Sequence, residues 1–336
     1  MTRQRIVLLV VAGVLVWGWS SIVAPARVLA QTLSFELIGS LPGPADLVEL
    51  QDGLAYISAD KEFTVFDMSD PTEPKRLGGH TFPEQIWGFR LAGDRAYVGA
   101  NFFGLGILDI SERGAPTLLG VYKSLGQTKI GAVVGGTVAL IDHMAGLVFA
   151  NVSDEAAPQP IGSYYLDGYA RDVVVSGSIA YAVDSPTGLY VFDLTGQGPW
   201  EPVGILHAPS APQRSLEVFD LPGTPGARIL CGVGAGGVQI YDVSDPAAPM
   251  KLVSYDTPGQ AGGLTIDGSL AYVADGSAGL QVLDLSTPSA PTVVAGFRTE
   301  RPARDVAVAG SIVIMVVGDS EYQGHDREVL ILRQIS

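Results

Sequence analysis

The chain has 336 residues, 47% of them hydrophobic, and carries a net charge of −15 at neutral pH. An acidic surface repels nucleic acids and anionic lipids, so neither is an expected partner. The single cysteine, Cys231, excludes an intrachain disulfide, and its place in the apolar run ARILCGV is typical of a small buried side chain.

Residues 1–30 differ from the rest of the chain. Arg3 and Arg5 precede an apolar run at residues 6–23, and the segment ends in VLA at residues 28–30, which suits a signal peptidase. We interpret it as a Sec-type signal peptide cleaved after Ala30, which predicts a secreted, periplasmic or cell-surface protein. Because the apolar run is nearly long enough to span a bilayer, an uncleaved N-terminal membrane anchor is the open alternative.

Residues 31–336 consist of copies of one unit, represented by residues 170–206. The runs RDVVVS, SIAYAV and LYVFDL are rich in β-branched and aromatic residues and are separated by turn-forming clusters; a fourth run, EPVGIL, follows. In six copies the third run ends in an Asp or Asn that precedes an aliphatic residue and Ser or Thr. These repeat residues are Asp67, Asp109, Asn151, Asp193, Asp242 and Asp284. They recur every 42 residues, with one interval of 49, and a seventh copy begins at Ala303.

Seven copies with four strands each predict an all-β fold, a seven-bladed β-propeller with four antiparallel strands per blade. The seventh copy reaches the C-terminus after its third strand. Residues 33–41, LSFELIGSL, resemble the fourth strands of other copies, such as PTVVAGF. We therefore expect the N-terminal strand to join the last blade and close the ring, which leaves no unpaired interface.

The blocks SLAYVADGSAGLQVLDLSTPSAP, SIAYAVDSPTGLYVFDLT and RAYVGANFFGLGILDIS carry a family resemblance. They resemble the LVIVD repeat, a bacterial and archaeal unit found in extracytoplasmic β-propellers. The resemblance extends over residues 33–336. It implies the propeller fold and a location outside the cytoplasmic membrane, and it offers no catalytic motif.

Two recurrent polar patterns are interpreted as turn structure. Pairs of prolines three residues apart, such as Pro246 and Pro249, are expected to introduce the outermost strand, where a missing amide donor costs little. An Asp ends several second strands, and we expect each carboxylate to accept amide hydrogen bonds in the following turn. These residues are Asp142, Asp184, Asp275 and Asp319.

Candidate binding residues lie on one face of the predicted ring. The connections from fourth to first strands and from second to third strands emerge on the same face, here called the loop face, and they differ from copy to copy. Exposed aromatic and histidine side chains there suit a recognition surface, or they only cap the blade ends. The candidates are Trp87, Phe102, Phe103, His143, Tyr169, Arg171, Arg304 and His325.

Arg171 and Arg304 are each followed by Asp, in the pairs Arg171-Asp172 and Arg304-Asp305. These pairs predict either ion pairs between neighbouring blades or an anion pocket at the mouth of the channel. The second alternative would place a ligand near the axis of the ring.

Two classes of function remain. No loop places a nucleophile beside a base, so the sequence favours a non-enzymatic recognition or scaffold module that binds a protein or glycan through the loop face. The alternative is a propeller hydrolase or dehydrogenase with its site at the channel mouth. No cofactor is expected, and no metal site either, because calcium-loop spacing is absent and the histidines come from different blades. A monomer is expected, in contact with a membrane only if residues 1–30 are retained.

Overall fold

The computed structural model describes residues 33–166, 168–185, 188–196, 200–207, 213–234, 236–319 and 327–335, with the backbone alone at residues 213 and 214. The segment interpreted as a signal peptide or anchor, and the candidate His325, lie outside the described residues. Within the described ranges, the chain forms no helix of the length and apolar character needed to cross a membrane.

The described residues form 28 β-strands and no α-helix. In chain order the strands are β1 (Ser34–Leu41), β2 (Leu47–Gln51), β3 (Leu54–Ala59), β4 (Glu62–Asp67), β5 (Lys75–Thr81), β6 (Gly88–Ala92), β7 (Arg95–Ala100), β8 (Gly104–Asp109), β9 (Thr117–Tyr122), β10 (Thr128–Val134), β11 (Thr137–Asp142), β12 (Gly146–Asn151), β13 (Gln159–Tyr164), β14 (Tyr169–Ser176), β15 (Ile179–Ser185), β16 (Gly188–Asp193), β17 (Pro202–His207), β18 (Gln213–Asp220), β19 (Arg228–Gly234), β20 (Gly237–Asp242), β21 (Met250–Tyr255), β22 (Leu264–Asp267), β23 (Leu270–Ala274), β24 (Leu280–Asp284), β25 (Thr292–Phe297), β26 (Ala303–Ala309), β27 (Ile312–Val317) and β28 (Glu328–Ile335).

The strands pair into seven four-stranded antiparallel sheets, which confirms the seven-bladed propeller. Blades 1 to 6 take four consecutive strands each, from β2–β5 to β22–β25, and blade 7 consists of β26, β27, β28 and β1. The first strand of each blade contacts the first strands of both neighbouring blades, from β2 and β6 around to β26 and β2. The ring is therefore closed, with the seven first strands around a central channel.

Ring closure by the N-terminal strand is also confirmed. Strand β1 pairs antiparallel with β28, in a register that places Ser34 opposite Ile335 and Leu41 opposite Val329. The start and the end of the chain thus share one blade, and the third strand of that blade has no free edge.

The core lies between the blades. Second and third strands such as β7 and β8 are almost entirely buried, because a neighbouring blade covers each face of the sheet. Aromatic rings cross these interfaces: Phe63 of blade 1 meets Phe89 of blade 2 edge to face, with ring centroids 5.2 Å apart. Cys231 is fully buried in this core, as its apolar strand predicts.

The turns between third and fourth strands form as the repeat predicts. The side chain of each repeat residue accepts a hydrogen bond from the backbone amide two residues later, at 2.8–3.0 Å, in all six copies that carry it. Pro202 begins β17, and β21 starts directly after Pro249. These local bonds and prolines fix where each outermost strand begins.

Candidate functional site

The two sets of connections assigned to the loop face do lie together. Asp142, at the end of a second strand, accepts a bond from the amide of Gly126 in the preceding fourth-to-first connection, at 2.9 Å. Asp184 and Asp275 bond the amides of Gly168 and Gly259 in the same way, each at 2.9 Å. These carboxylates therefore join neighbouring loops as well as closing their own turns.

The turn role expected of these aspartates is visible at Asp142. Its Oδ1 accepts the amides of Met144 and Ala145 at 2.7 and 2.9 Å, and Gly146 follows with a φ of 82°. Burial acts to raise the pKa of Asp142, but the amide bonds outweigh it and hold the pKa below its usual value. The carboxylate is used by the turn and is not a free ligand group.

Trp87 and His143 form a pair across two blades. Their ring centroids are 5.3 Å apart in an edge-to-face arrangement. Burial lowers the pKa of His143, and Arg171 nearby lowers it further. The His143 ring is therefore neutral at physiological pH and packs as an aromatic surface beside Arg171.

Adjacent residues Phe102 and Phe103 have different environments. Phe103 is half-buried: its ring lies 5.7 Å from that of Phe82 in an edge-to-face contact, and the Lys123 Nζ lies 4.2 Å above it. Phe102 is 61% exposed. Phe102 therefore belongs to the surface, and Phe103 supports it from the core.

The most exposed large apolar side chains gather on the loop face of blades 2 to 4. Leu125 is 81% exposed and Tyr165 75%, and no other large apolar residue of the described chain exceeds 69%. The apolar patch consists of Phe102, Leu125, Met144, Tyr165 and Tyr169. The other exposed large apolar residues lie on outermost strands or, for Ile335, at the end of β28, and all are less exposed.

The loops that carry the apolar patch adjoin one another. The Met144 side chain lies over Gly126, next to Leu125, and Tyr165 passes beside Gly146. Asn101, which precedes Phe102, forms a β-bridge with Thr128. The patch thus runs from blade 2 to blade 4 over adjoining loops.

Leu125, Met144 and Tyr165 were not among the residues predicted from the sequence. Leu125 and Met144 lie in short polar turns, KSLGQ and DHMAG, where an isolated large apolar residue was the available signal. Tyr169, which was predicted, is 69% exposed.

Arg171 and Arg304 are not brought together. Arg171 lies on blade 4, whereas Arg304 on blade 7 donates to the carbonyl oxygens of Gly318 and Asp319, each at 3.0 Å. The aspartates that follow them join blades without these arginines. Asp172 pairs with Lys129 of blade 3 at 3.3 Å and accepts the Leu216 amide of blade 5 at 2.8 Å.

A cavity of about 540 Å³ occupies the central channel, lined by residues of all seven first strands. Six of its nine charged lining residues lie at two levels. The level nearer the loop face contains Lys129, Asp172 and Asp305. Each of these residues lies opposite the equivalent residue of the second strand in its own blade, so the three lie at the same height along the channel. Glu49, Arg90 and Glu217 share the next level by the same criterion.

Glu49, Arg90 and Glu217 were not among the residues predicted from the sequence. Each lies within an ordinary-looking first strand, and their shared level follows only from the strand register. No group of three or more His, Cys, Asp or Glu side chains among the described residues is arranged to hold a metal ion.

The comparisons with known proteins agree with this architecture. The model of the LVIVD repeat matches residues 42–79, 87–124, 167–195, 231–257 and 258–299, which together are more than half of the chain. No curated protein matches the chain in sequence. Among solved structures, the crystal structure of the computationally designed protein Ika8 is similar over 88% of this chain and 99% of its own, with 12% identity and a TM-score of 0.59. At that identity the similarity concerns the fold alone.

Proposed function

The chain belongs to the LVIVD-repeat family, and from that premise we propose that it is a non-enzymatic recognition module that binds a protein partner through the apolar patch of its loop face. One observation carries the proposal: the most exposed large apolar side chains of the described residues are concentrated on one face of three adjacent blades. Soluble proteins rarely leave such a group uncovered unless a partner covers it.

The composition of the apolar patch favours a protein over a glycan. Leu125 and Met144 lie at its centre, and aliphatic and thioether side chains pack against apolar side chains of a partner. Tyr165 and Tyr169 add large surfaces with a polar end, as in protein interfaces. Trp87 and His143 extend the surface toward the channel mouth.

The alternative enzyme function would need reactive groups in one place. His143 packs on Trp87, and Arg304 lies on blade 7, away from Arg171 on blade 4. This separation supports recognition over catalysis at the channel mouth.

The proposal includes a location outside the cytoplasmic membrane, based on residues 1–30 and on the family.

A patch variant tests the proposal. The variant replaces Phe102, Leu125, Met144 and Tyr165 with Ser, and its control carries Asp70→Asn, Glu112→Gln and Asp245→Asn on the opposite face. The partner is isolated with wild-type protein from cell-envelope proteins and identified by mass spectrometry, and its affinity for each purified variant is then measured by biolayer interferometry.

We expect the patch variant to lose at least about 100-fold in affinity, because it removes a typical hot-spot residue, Tyr165, together with the apolar contact area of three neighbours. Its melting temperature should change little, because the replaced side chains are exposed. The control should bind like the wild type. Equal affinity of the patch variant and the wild type, or a loss in the control alone, would contradict the proposal.

A further inference from the structure

Three carboxylates of the channel have structural roles. The first strands present unpaired backbone amides, and a carboxylate of the preceding blade accepts from one amide of the next. Asp305 accepts from Val48 at 3.1 Å, Glu49 from Leu91 at 3.0 Å, and Asp172 from Leu216 at 2.8 Å. These bonds join blades 7 to 1, 1 to 2 and 4 to 5.

Two of these carboxylates also have a cationic partner. Glu49 pairs with Arg90 at 3.1 Å, and Asp172 pairs with Lys129 at 3.3 Å. Their charges are thus compensated within the protein.

Glu217 has no such role. It lies at the same level of the channel as Glu49 and Arg90, but no hydrogen bond or ion pair joins its carboxylate to the residues that the structure describes. Glu217 is partly buried and lines the cavity of about 540 Å³. An ionised carboxylate in this environment is costly unless something pairs with it.

The pKa of Glu217 reflects that cost. Burial raises it to about 7; Arg90 opposes the rise, and the carboxylates of Asp172, Glu49 and Asp305 add to it. Burial likewise raises the pKa of Asp305 to about 6. Five carboxylates and four cationic side chains line the cavity. Among the described residues, Glu217 and Asp305 are the lining carboxylates without a cationic side chain in contact.

The surroundings of Glu217 fit an ammonium group better than a bare metal ion. The described carboxylates do not converge in threes, as a metal would require. An ammonium group donates three hydrogen bonds and can be held by one carboxylate and nearby hydroxyl oxygens. Thr265 of the next blade and Ser215 of the same strand line the cavity beside Glu217, and the Thr265 hydroxyl, which donates to the Val306 carbonyl at 2.7 Å, keeps its acceptor capacity.

We propose that the central channel binds a small aliphatic amine with one or two ammonium groups, and that the Glu217 carboxylate is its main counter-ion. The cavity volume is within the usual range for small-molecule sites. The binding site is independent of the apolar patch, so its test is separate from that of the recognition function.

Isothermal titration calorimetry of the full-length protein at pH 8 with 1,4-diaminobutane tests this inference. The neutral 1,4-butanediol is the ligand control, Glu217→Gln is the test variant, and the exposed Glu112→Gln is its matched control. Thermal melting establishes that each variant is folded, and the loss of an unpaired charge favours folding of Glu217→Gln.

We expect saturable binding of the diamine to the wild type and to Glu112→Gln, at least tenfold weaker binding to Glu217→Gln, and no binding of the diol. Equal binding to both variants would overturn the proposal, as would no binding to the wild type at millimolar diamine. Saturable calcium binding that displaces the diamine would indicate a metal site instead of an amine site, and it would also overturn the proposal.

Discussion

At the scale of single residues, three carboxylates of the channel join neighbouring blades by hydrogen bonds. Asp172 contacts both neighbouring blades through Lys129 and the Leu216 amide. Removing it would leave the Leu216 amide without its acceptor and Lys129 with the Arg171 carbonyl alone. Glu217, in contrast, costs stability whenever it is ionised. The same residue type therefore stabilises or destabilises the ring according to whether a donor is present.

Replacing Glu217 with Gln should stabilise the folded protein at pH 8 and change little at pH 4.5. The folded-state pKa of Glu217, about 7, exceeds its unfolded value. Between the unfolded pKa and the folded pKa, the folded state therefore holds a proton that the unfolded state has lost. The stability cost of Glu217 is thus absent at low pH and complete above the folded pKa.

We expect the free energy of unfolding at pH 8 to rise by roughly 2 kcal/mol in the variant. The full pKa shift, at about 1.4 kcal/mol per pKa unit, would give a larger rise, but the carboxyl group faces the channel, where solvent screens its charge. Urea unfolding of both proteins at the two pH values measures it. A gain that is the same at both pH values would show that Glu217 is not protonated on folding.

Residues differ in how well the sequence reveals their roles. The turn bonds of Asp67 and Asp142 are local, so the residue type and the following two or three positions predict them. The level shared by Glu49, Arg90 and Glu217 depends on strand register in three separate blades. Phe102 and Phe103 are identical in type and adjacent in sequence, and only the packing of Phe82 and Lys123 places one in the core.

At the scale of strands, the repeat predicts nearly the whole structure. Each of the first six copies supplies four runs of high β propensity separated by turn residues, and in these copies the position of the repeat Asp or Asn fixes the end of the third strand. Closure by β1 was predictable because the last copy lacks a fourth strand. The bulges that shift the register between third and fourth strands, for instance between Val65 and Phe66, have no comparable sequence signal.

Deleting residues 34–41 should destabilise the ring strongly. The deletion exposes the edge of β28 and removes the buried Leu41 side chain from the core. We expect aggregation on purification, or a melting temperature lower by about 10 °C or more. Thermal melting and size-exclusion chromatography of the deletion variant and the intact protein measure these changes. A monomeric deletion variant with the melting temperature of the intact protein would show that ring closure does not depend on β1.

At the scale of the whole molecule, the two faces of the ring differ. The opposite face is built from similar short turns fixed by local bonds, whereas the loop face carries the apolar patch and the channel mouth. The sequence predicts which face varies, because copies can be compared within one chain. It does not predict which loop residues project into solvent, since that depends on how loops of neighbouring blades cover one another.

Site-specific photo-crosslinking tests the assignment of function to the loop face most directly. Benzoylphenylalanine is placed at position 165 or 144 in the apolar patch, or at position 112 on the opposite face, and each protein is irradiated with cell-envelope proteins. If the loop face binds the partner, positions 165 and 144 give one discrete adduct of the same mass and position 112 gives none. An adduct from position 112 alone, equal adducts from all three positions, or no adduct from the patch would contradict it.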